Sequence, residues 1–342
     1  MSELRKHPLK LTLVAFVLAA ATVVVIAGAY GFGAFADAWK DLHPRWLALT
    51  VCAELLAMPA YAISYRVIAR VNDGPRLPFG LVMRVVVAGF GPFAAGGGFA
   101  LDKRVLHATG NDERRATVQV LGLGALEWAL LAPAAWLSAV VLLVGGSSAM
   151  PSLLWPWALI VPPAFVLGLW LAVPERRKRL TAPGRALARL EVTFRGVGVL
   201  HLLAKDIATC WVAWVGAAAY WVLEIAAFYG ALRFIGLHPS GWATILAYAT
   251  GYALTRRSLP LGGAGATEAL MTFALHWVGI AVPAALASVV VYRVGNFVLP
   301  TIPALIARPH VTPLIDAGEE RDEREPRARR RQRRPALERS SS

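Results

Sequence analysis

The chain has 342 residues, 57% of them apolar, with 35 Lys and Arg against 21 Asp and Glu. Apolar residues come in runs of about twenty, the length a helix needs to cross a bilayer, which excludes a water-soluble enzyme or binding module and defines an all-α, polytopic integral membrane protein. The net charge of +14 falls mainly in loops and towards the C-terminus, so it reports topology first and anionic partners second.

In chain order, Leu11 to Tyr30 is the first span, and Arg5, Lys6 and Lys10 before it put the N-terminus in the cytoplasm. Ala34-Phe35-Ala36 has the small-x-small look of a signal-peptide cleavage site, but the apolar run exceeds the ~7–15 residues of such segments. Cleavage would leave the later topology unchanged. Trp46 to Tyr65 is the second span; it carries Glu54 and exits into Arg66, Arg70 and Arg76 on the cytoplasmic side. Phe79 to Gly110 is interrupted by GPFAAGGG and ends in Asp102, Lys103 and Arg104, which reads as a re-entrant hairpin from the cytoplasm.

Ala116 to Val144, with Glu127 inside it, leads to an uncharged outer loop, and Leu153 to Val173 returns to the basic ERRKRL loop. Within Gly184 to Asp206, Leu187, Leu190, Phe194 and Val197 recur at helical spacing opposite Arg185 and Arg189, as expected of a helix lying on the inner membrane surface. Ile207 to Ile235 crosses outward with Glu224 buried in it. Trp242 to Thr255 and Gly265 to Gly279 flank a break, SLPLGGAG, and form a second hairpin, entering from outside. Pro283 to Ile306 then crosses back with Arg293 and Asn296 on one face. Residues 309–342 read as a disordered, basic cytoplasmic tail after a membrane domain of residues 1–308. The two cysteines, Cys52 and Cys210, show no CxxC or Cys/His spacing and read as core residues.

The two interrupted stretches are related. An offset of 169 residues (279 − 110) pairs Gly110 with Gly279, Gly96 with Gly265, Ala116 with Ala285 and Glu127 with Asn296. Glu54 and Glu224 pair one residue out of register. The halves, about 46–145 and 207–307, therefore read as an inverted repeat: about six full spans plus two re-entrant hairpins, with a site near the midplane where the broken elements meet.

The run Pro260, Gly262, Gly263, Gly265, Glu268, followed by Gly279 and a span carrying Arg293, resembles the flippase-like integral membrane family that includes the transmembrane portion of the lysylphosphatidylglycerol synthases. Pro92 with Gly96, Gly97 and Gly98 resembles the first-half counterpart, and Leu261 stands where that family often has a second proline. The resemblance covers most of Leu11 to Ala307. It implies passage of lipids with polar heads; the soluble aminoacylating domain of some members is not implied for this chain.

Substrate contacts are expected from Arg256, Arg257, the amides of Gly262, Gly263 and Gly265, and from Glu268, Arg293 and Asn296. Arg256 and Arg257 suit a lipid phosphate, or an ion pair with Glu224 or Glu268 that holds the hairpin. Glu268 suits a helix cap or salt bridge, or a proton carrier. Glu127 and Glu224 suit a proton relay, partners for Arg293, or neutral carboxyls bonded to backbone. His276 reads as packed. With no HExxH pattern and no GxxxxGK[ST] loop, no metal, cofactor or ATP hydrolysis is expected.

The expected function is translocation of an anionic polar-headed lipid in the cell membrane, with both termini cytoplasmic. The partners are membrane lipids and, as an open question, further copies of the chain; the arginine-rich tail suits anionic lipid better than nucleic acid. The alternatives are a membrane-embedded enzyme acting on such a lipid through Glu268 or Glu127, and a transporter of small soluble anions.

Overall fold

A computed structural model describes residues 8–90, 98–177, 185–251 and 259–338. Among these residues there are helices and no strands. Six helical segments are long and apolar enough to cross a membrane: Leu9–Tyr30, Arg45–Ile68, Glu113–Val144, Pro151–Ala172, Ile207–Phe234 and Val282–Gly318.

The first is α1 (Pro8–Tyr30), followed by the short α2 (Phe32–Asp37) and then α3 (Arg45–Ile68). Between α3 and α6 (Glu113–Val144) lie two helices too short to cross, α4 (Phe79–Gly89) and α5 (Gly98–Ala108). At eleven residues each they rise about 16 Å, half the ~30 Å of a hydrocarbon core. Next come α7 (Pro151–Ala172), the single turn α8 (Pro174–Arg177), α9 (Arg185–Lys205) and α10 (Ile207–Phe234). A second pair of short helices follows, α11 (Gly241–Gly251) and α12 (Ala266–Trp277), with a 3₁₀ turn at Pro260–Gly263 before α12. The last span is α13 (Val282–Arg293), a π turn (Val294–Val298) and α14 (Leu299–Glu338).

The central contact is α3 against α10, which pack along most of their length. In lipid no hydrophobic force separates helix from solvent, so close approach and polar links must hold helices together. Both are present. A side-chain carbon on Gly216 would fall 2.6 Å from Ser64 Oγ, and one on Gly230 2.7 Å from Thr50 Oγ1. The same two hydroxyls donate across the interface, Ser64 to the Ala213 carbonyl at 2.8 Å and Thr50 to the Ala227 carbonyl at 3.0 Å.

Loop contacts define the two ends of the bundle. At one end the His43 amide donates to the Phe234 carbonyl, joining the loops before α3 and after α10, and the Met150 amide donates to the Trp277 carbonyl, joining the loop before α7 to the end of α12. At the other end Gln119 on α6 donates to the Ala69 and Val71 carbonyls and accepts from Asn111, while Arg66 donates to the Leu77 carbonyl. The outer ends of α4 and α5 thus lie at one end of the bundle, and those of α11 and α12 at the opposite end.

Packing between the halves is reciprocal: α4 and α5 rest on α14, and α11 rests on α6. The turns that close the short pairs are also alike at the 169-residue offset. His107 Nδ1 meets the Asn111 carbonyl at 2.7 Å and His276 Nδ1 the Ile280 carbonyl at 3.2 Å. Gly110 and Gly279 follow with φ of 112° and 97°, and the amides of Asn111 and Ile280 close back onto the Leu106 and Leu275 carbonyls.

Three expectations change. The helix expected on the membrane surface is present as α9, but it packs on α6 and α7 and buries Val199, Leu200 and Leu203, because Gly122 of α6 admits Val199 and Gly196 of α9 lies against Leu121. Cys52 is exposed on the outward face of α3 beside Leu55 and Leu56, not in the core; Cys210 is half-buried. The packed chain also extends beyond residue 308, since α14 continues and buries Val311 and Ile315, with Gly318 against Ala108.

Gly251 fixes the spacing of the second short pair: a side chain there would place its first carbon 2.6 Å from the Met271 Cα, a backbone atom that cannot swing away. Gly251→Leu should therefore separate α11 from α12 and cost about 1–3 kcal/mol, read as a lower midpoint in thermal unfolding of the detergent-solubilised protein.

Candidate functional site

The break before α12 has a local cause. Pro260 starts the 3₁₀ turn, and Leu261 and Gly262 then take left-handed φ of 56° and 63°. A proline at 261 is locked near −65° and could not adopt this turn, so the departure of Leu261 from the family pattern has a conformational reason. Gly265 sits at φ 84°, ψ −55°, a region closed to other side chains, and there the helix restarts.

Glu268, three residues into α12, closes this new N-terminus. Its Oε2 accepts the Gly265 amide at 2.6 Å, while Oε1 accepts from Arg293 Nε at 2.7 Å. The two side chains are 2% and 7% exposed, so the ion pair is buried. The guanidinium is further engaged from three sides: Nη1 donates to Asn296 Oδ1 at 3.2 Å, Nη2 donates to the Gly262 carbonyl at 3.3 Å, and the Phe297 ring centre lies 4.2 Å from its central carbon. Asn296 in turn donates to Glu54 Oε2 on α3 at 3.3 Å. The π turn helps by widening the helix where Arg293 and Asn296 share a face, a deviation common at functional sites. Groups from α12, the π turn and the broken loop thus converge on the one cation of α13, and α3 joins through Asn296.

A second buried group adjoins it. Glu224 on α10 accepts from the Tyr292 hydroxyl at 2.7 Å and from the Tyr248 hydroxyl at 3.0 Å. Trp221, one turn away, donates to the backbone carbonyl of Glu127 at 2.8 Å. Glu54 and Glu127 both lie within electrostatic range of Glu224. Since Tyr292 precedes Arg293 directly, Glu54, Glu224 and Glu268 and the Arg293 guanidinium form one polar core among the described residues.

Several expected residues are placed differently. Arg293 pairs with Glu268, not with Glu127 or Glu224, because α12 packs directly on α13 and delivers its first turn to the guanidinium. The Gly265 amide, expected to face a ligand, is taken by Glu268, and Gly262 offers Arg293 its carbonyl. Gly263 is buried within the turn, and Gly98 opens α5 as a buried residue. Arg256, Arg257, Pro92, Gly96 and Gly97 lie outside the described residues. Among the described residues no three His, Cys, Asp or Glu side chains are grouped to hold a metal ion. Sequence reasoning left out Tyr248, Tyr292 and the link from Glu54 to Asn296. The available signal was the tyrosine hydroxyl, which needs a partner wherever the ring is buried.

The family described as lysylphosphatidylglycerol synthase TM region matches residues 12–304, and the chain belongs to that family. A search of curated proteins gives no match. Membership ties this polar core to a membrane protein with a lipid-related role.

Removing one partner of a buried pair strands the other charge. Arg293→Met should destabilise the protein by about 3–5 kcal/mol, whereas Arg293→Met combined with Glu268→Gln should recover part of that loss. A double-mutant cycle of thermal unfolding in detergent measures the difference.

Proposed function

We propose that this protein translocates an anionic, polar-headed lipid, such as a phospholipid, a modified phospholipid or a polyprenyl-linked glycolipid, across the cell membrane. The observation that carries the reading is the buried Arg293, engaged at the junction of a broken helix and a π turn by groups from three other elements. A guanidinium at that depth is costly, and the usual reason for keeping one is an anionic cargo or a charge that must be exchanged. A headgroup phosphate takes the place of the Glu268 carboxylate, which holds the guanidinium through Nε alone, and an arginine fork suits a phosphate. Arg256 and Arg257, just before the break in sequence, supply further cations. The acyl chains stay in lipid.

The end of the bundle that carries Arg66, Arg70, Arg76, Arg114 and Arg115 is cytoplasmic by the excess of positive charge, which puts both termini in the cytoplasm. On that orientation α4 and α5 enter from the cytoplasm and α11 and α12 from outside, an inverted repeat in which rocking of one half against the other alternates access to Arg293. Glu224, Tyr292 and Glu127 provide a chain of titratable groups beside the site, suited to coupling the cycle to protons.

The test is reconstitution into vesicles with headgroup-labelled phosphatidylglycerol, scoring label that becomes accessible to an impermeant quencher. Wild type should expose label from the inner leaflet, and Asn296→Ala and Arg256→Ala/Arg257→Ala should slow exposure roughly tenfold, the effect of losing a charge-assisted contact of ~1.5 kcal/mol. Label exposure no faster than in empty vesicles overturns the reading, and uptake of labelled glycerol phosphate in its place assigns the site to soluble anions.

A further inference from the structure

A second polar concavity lies well away from Arg293, at the arginine-rich end of the bundle. It is a cleft of about 430 Å³ between the start of α6, the middle of α9, the junction of α7 with α8, and the turn at Asn72. Its volume matches pockets that hold small polar groups.

Arg114, Arg115 and Arg195 line it, together with His201. Two carboxylates stand among them. Asp112 caps α6 by accepting the Arg115 amide at 2.8 Å. Glu191 uses one oxygen, Oε1, for both Arg195 at 2.7 Å and Arg114 at 3.5 Å. Three guanidinium groups against two carboxylates leave the cleft cationic, and the arginine side chains keep 38% to 56% of their surface exposed. The lining also has apolar members, Val118, Ala172 and Leu202. It continues into the uncovered face of α7, where Leu167 and Trp170 are exposed and Arg176 stacks 5.3 Å from the Trp170 ring. Arginine forks beside apolar side chains recognise a phosphate ester joined to a hydrocarbon or glycerol group.

We propose that this cleft is a binding site for a phosphate-ester anion, supplied either as a glycerophospholipid headgroup whose chains run along Leu202 and α7, or as a soluble glycerol phosphate. Nothing in this assignment depends on lipid translocation through the bundle. Glu191 of α9 already reaches Arg114 of α6, and a bound phosphate would add a second link between Arg195 and the arginines of α6.

The test uses the full chain in a neutral detergent, titrated by calorimetry with dioctanoyl phosphatidylglycerol, with glycerol 1-phosphate and with dioctanoyl phosphatidylcholine. Arg114→Gln/Arg115→Gln should weaken binding of the anion about tenfold, a loss of ~1.4 kcal/mol. Arg233→Gln, at the other end of the bundle, should leave it unchanged. Arg195→Lys keeps the charge beside Glu191 but loses the fork, and its weaker binding provides the readout if the double variant does not fold. Tighter binding of phosphatidylglycerol than of glycerol phosphate identifies the lipid as the source, and the reverse order the soluble ester. Anion binding that is no tighter than that of phosphatidylcholine, or that is equal in wild type and folded variants, overturns the proposal.

Discussion

The ion pair between Glu268 and Arg293 is the constraint around which the centre of this bundle is arranged. Two charges withdrawn from water each cost several kcal/mol unless every donor and acceptor around them is used. The structure meets that demand with the Gly265 amide on one carboxylate oxygen and with Asn296 and the Gly262 carbonyl on the guanidinium. Each of these partners fixes something larger. The Gly265 contact decides where α12 begins, the Gly262 contact holds the broken loop against α13, and Asn296 extends the network to α3 through Glu54. A helix break that would expose bare backbone in an apolar medium becomes tolerable because the groups it frees are the ones the ion pair requires.

This core depends on a scaffold of a different kind. Helices α3 and α10 approach closely through glycine and hydroxyl residues, and their bonds from Ser64 and Thr50 run side chain to backbone. Such contacts carry no net charge and are insensitive to protonation. The polar core and the scaffold share α3 and α10, which carry Glu54 and Glu224.

Much of the architecture was legible from the chain alone because lipid imposes simple rules. Span length and the interrupted run at SLPLGGAG each have one main physical cause, and the described helices begin and end within a few residues of the expected positions, except the last, which continues to Glu338 where the expected span ended at Ile306. The pairing of charges was less accessible. Three carboxylates sit inside spans and Arg293 had several suitors; the choice of Glu268 rests on the crossing of α12 over α13, which no local pattern records. The surface reading of α9 failed for a related reason: an amphipathic stripe does not say whether its apolar side meets lipid or another helix. Nor did the acid- and arginine-rich composition beyond Arg308 reveal that Val311 and Ile315 would be buried, because two apolar residues one helical turn apart carry little weight in a charged stretch.

The reciprocal packing of the halves also bears on how the protein is made. Helices α4 and α5 rest on α3 and α6, which flank them in sequence, and also on α14, which is synthesised much later. Helix α11, by contrast, meets its partner α6 already in place. The packing of the first short pair is therefore completed only once α14 has been made, and until then its α14-facing surface is what the quality-control machinery of the membrane would meet.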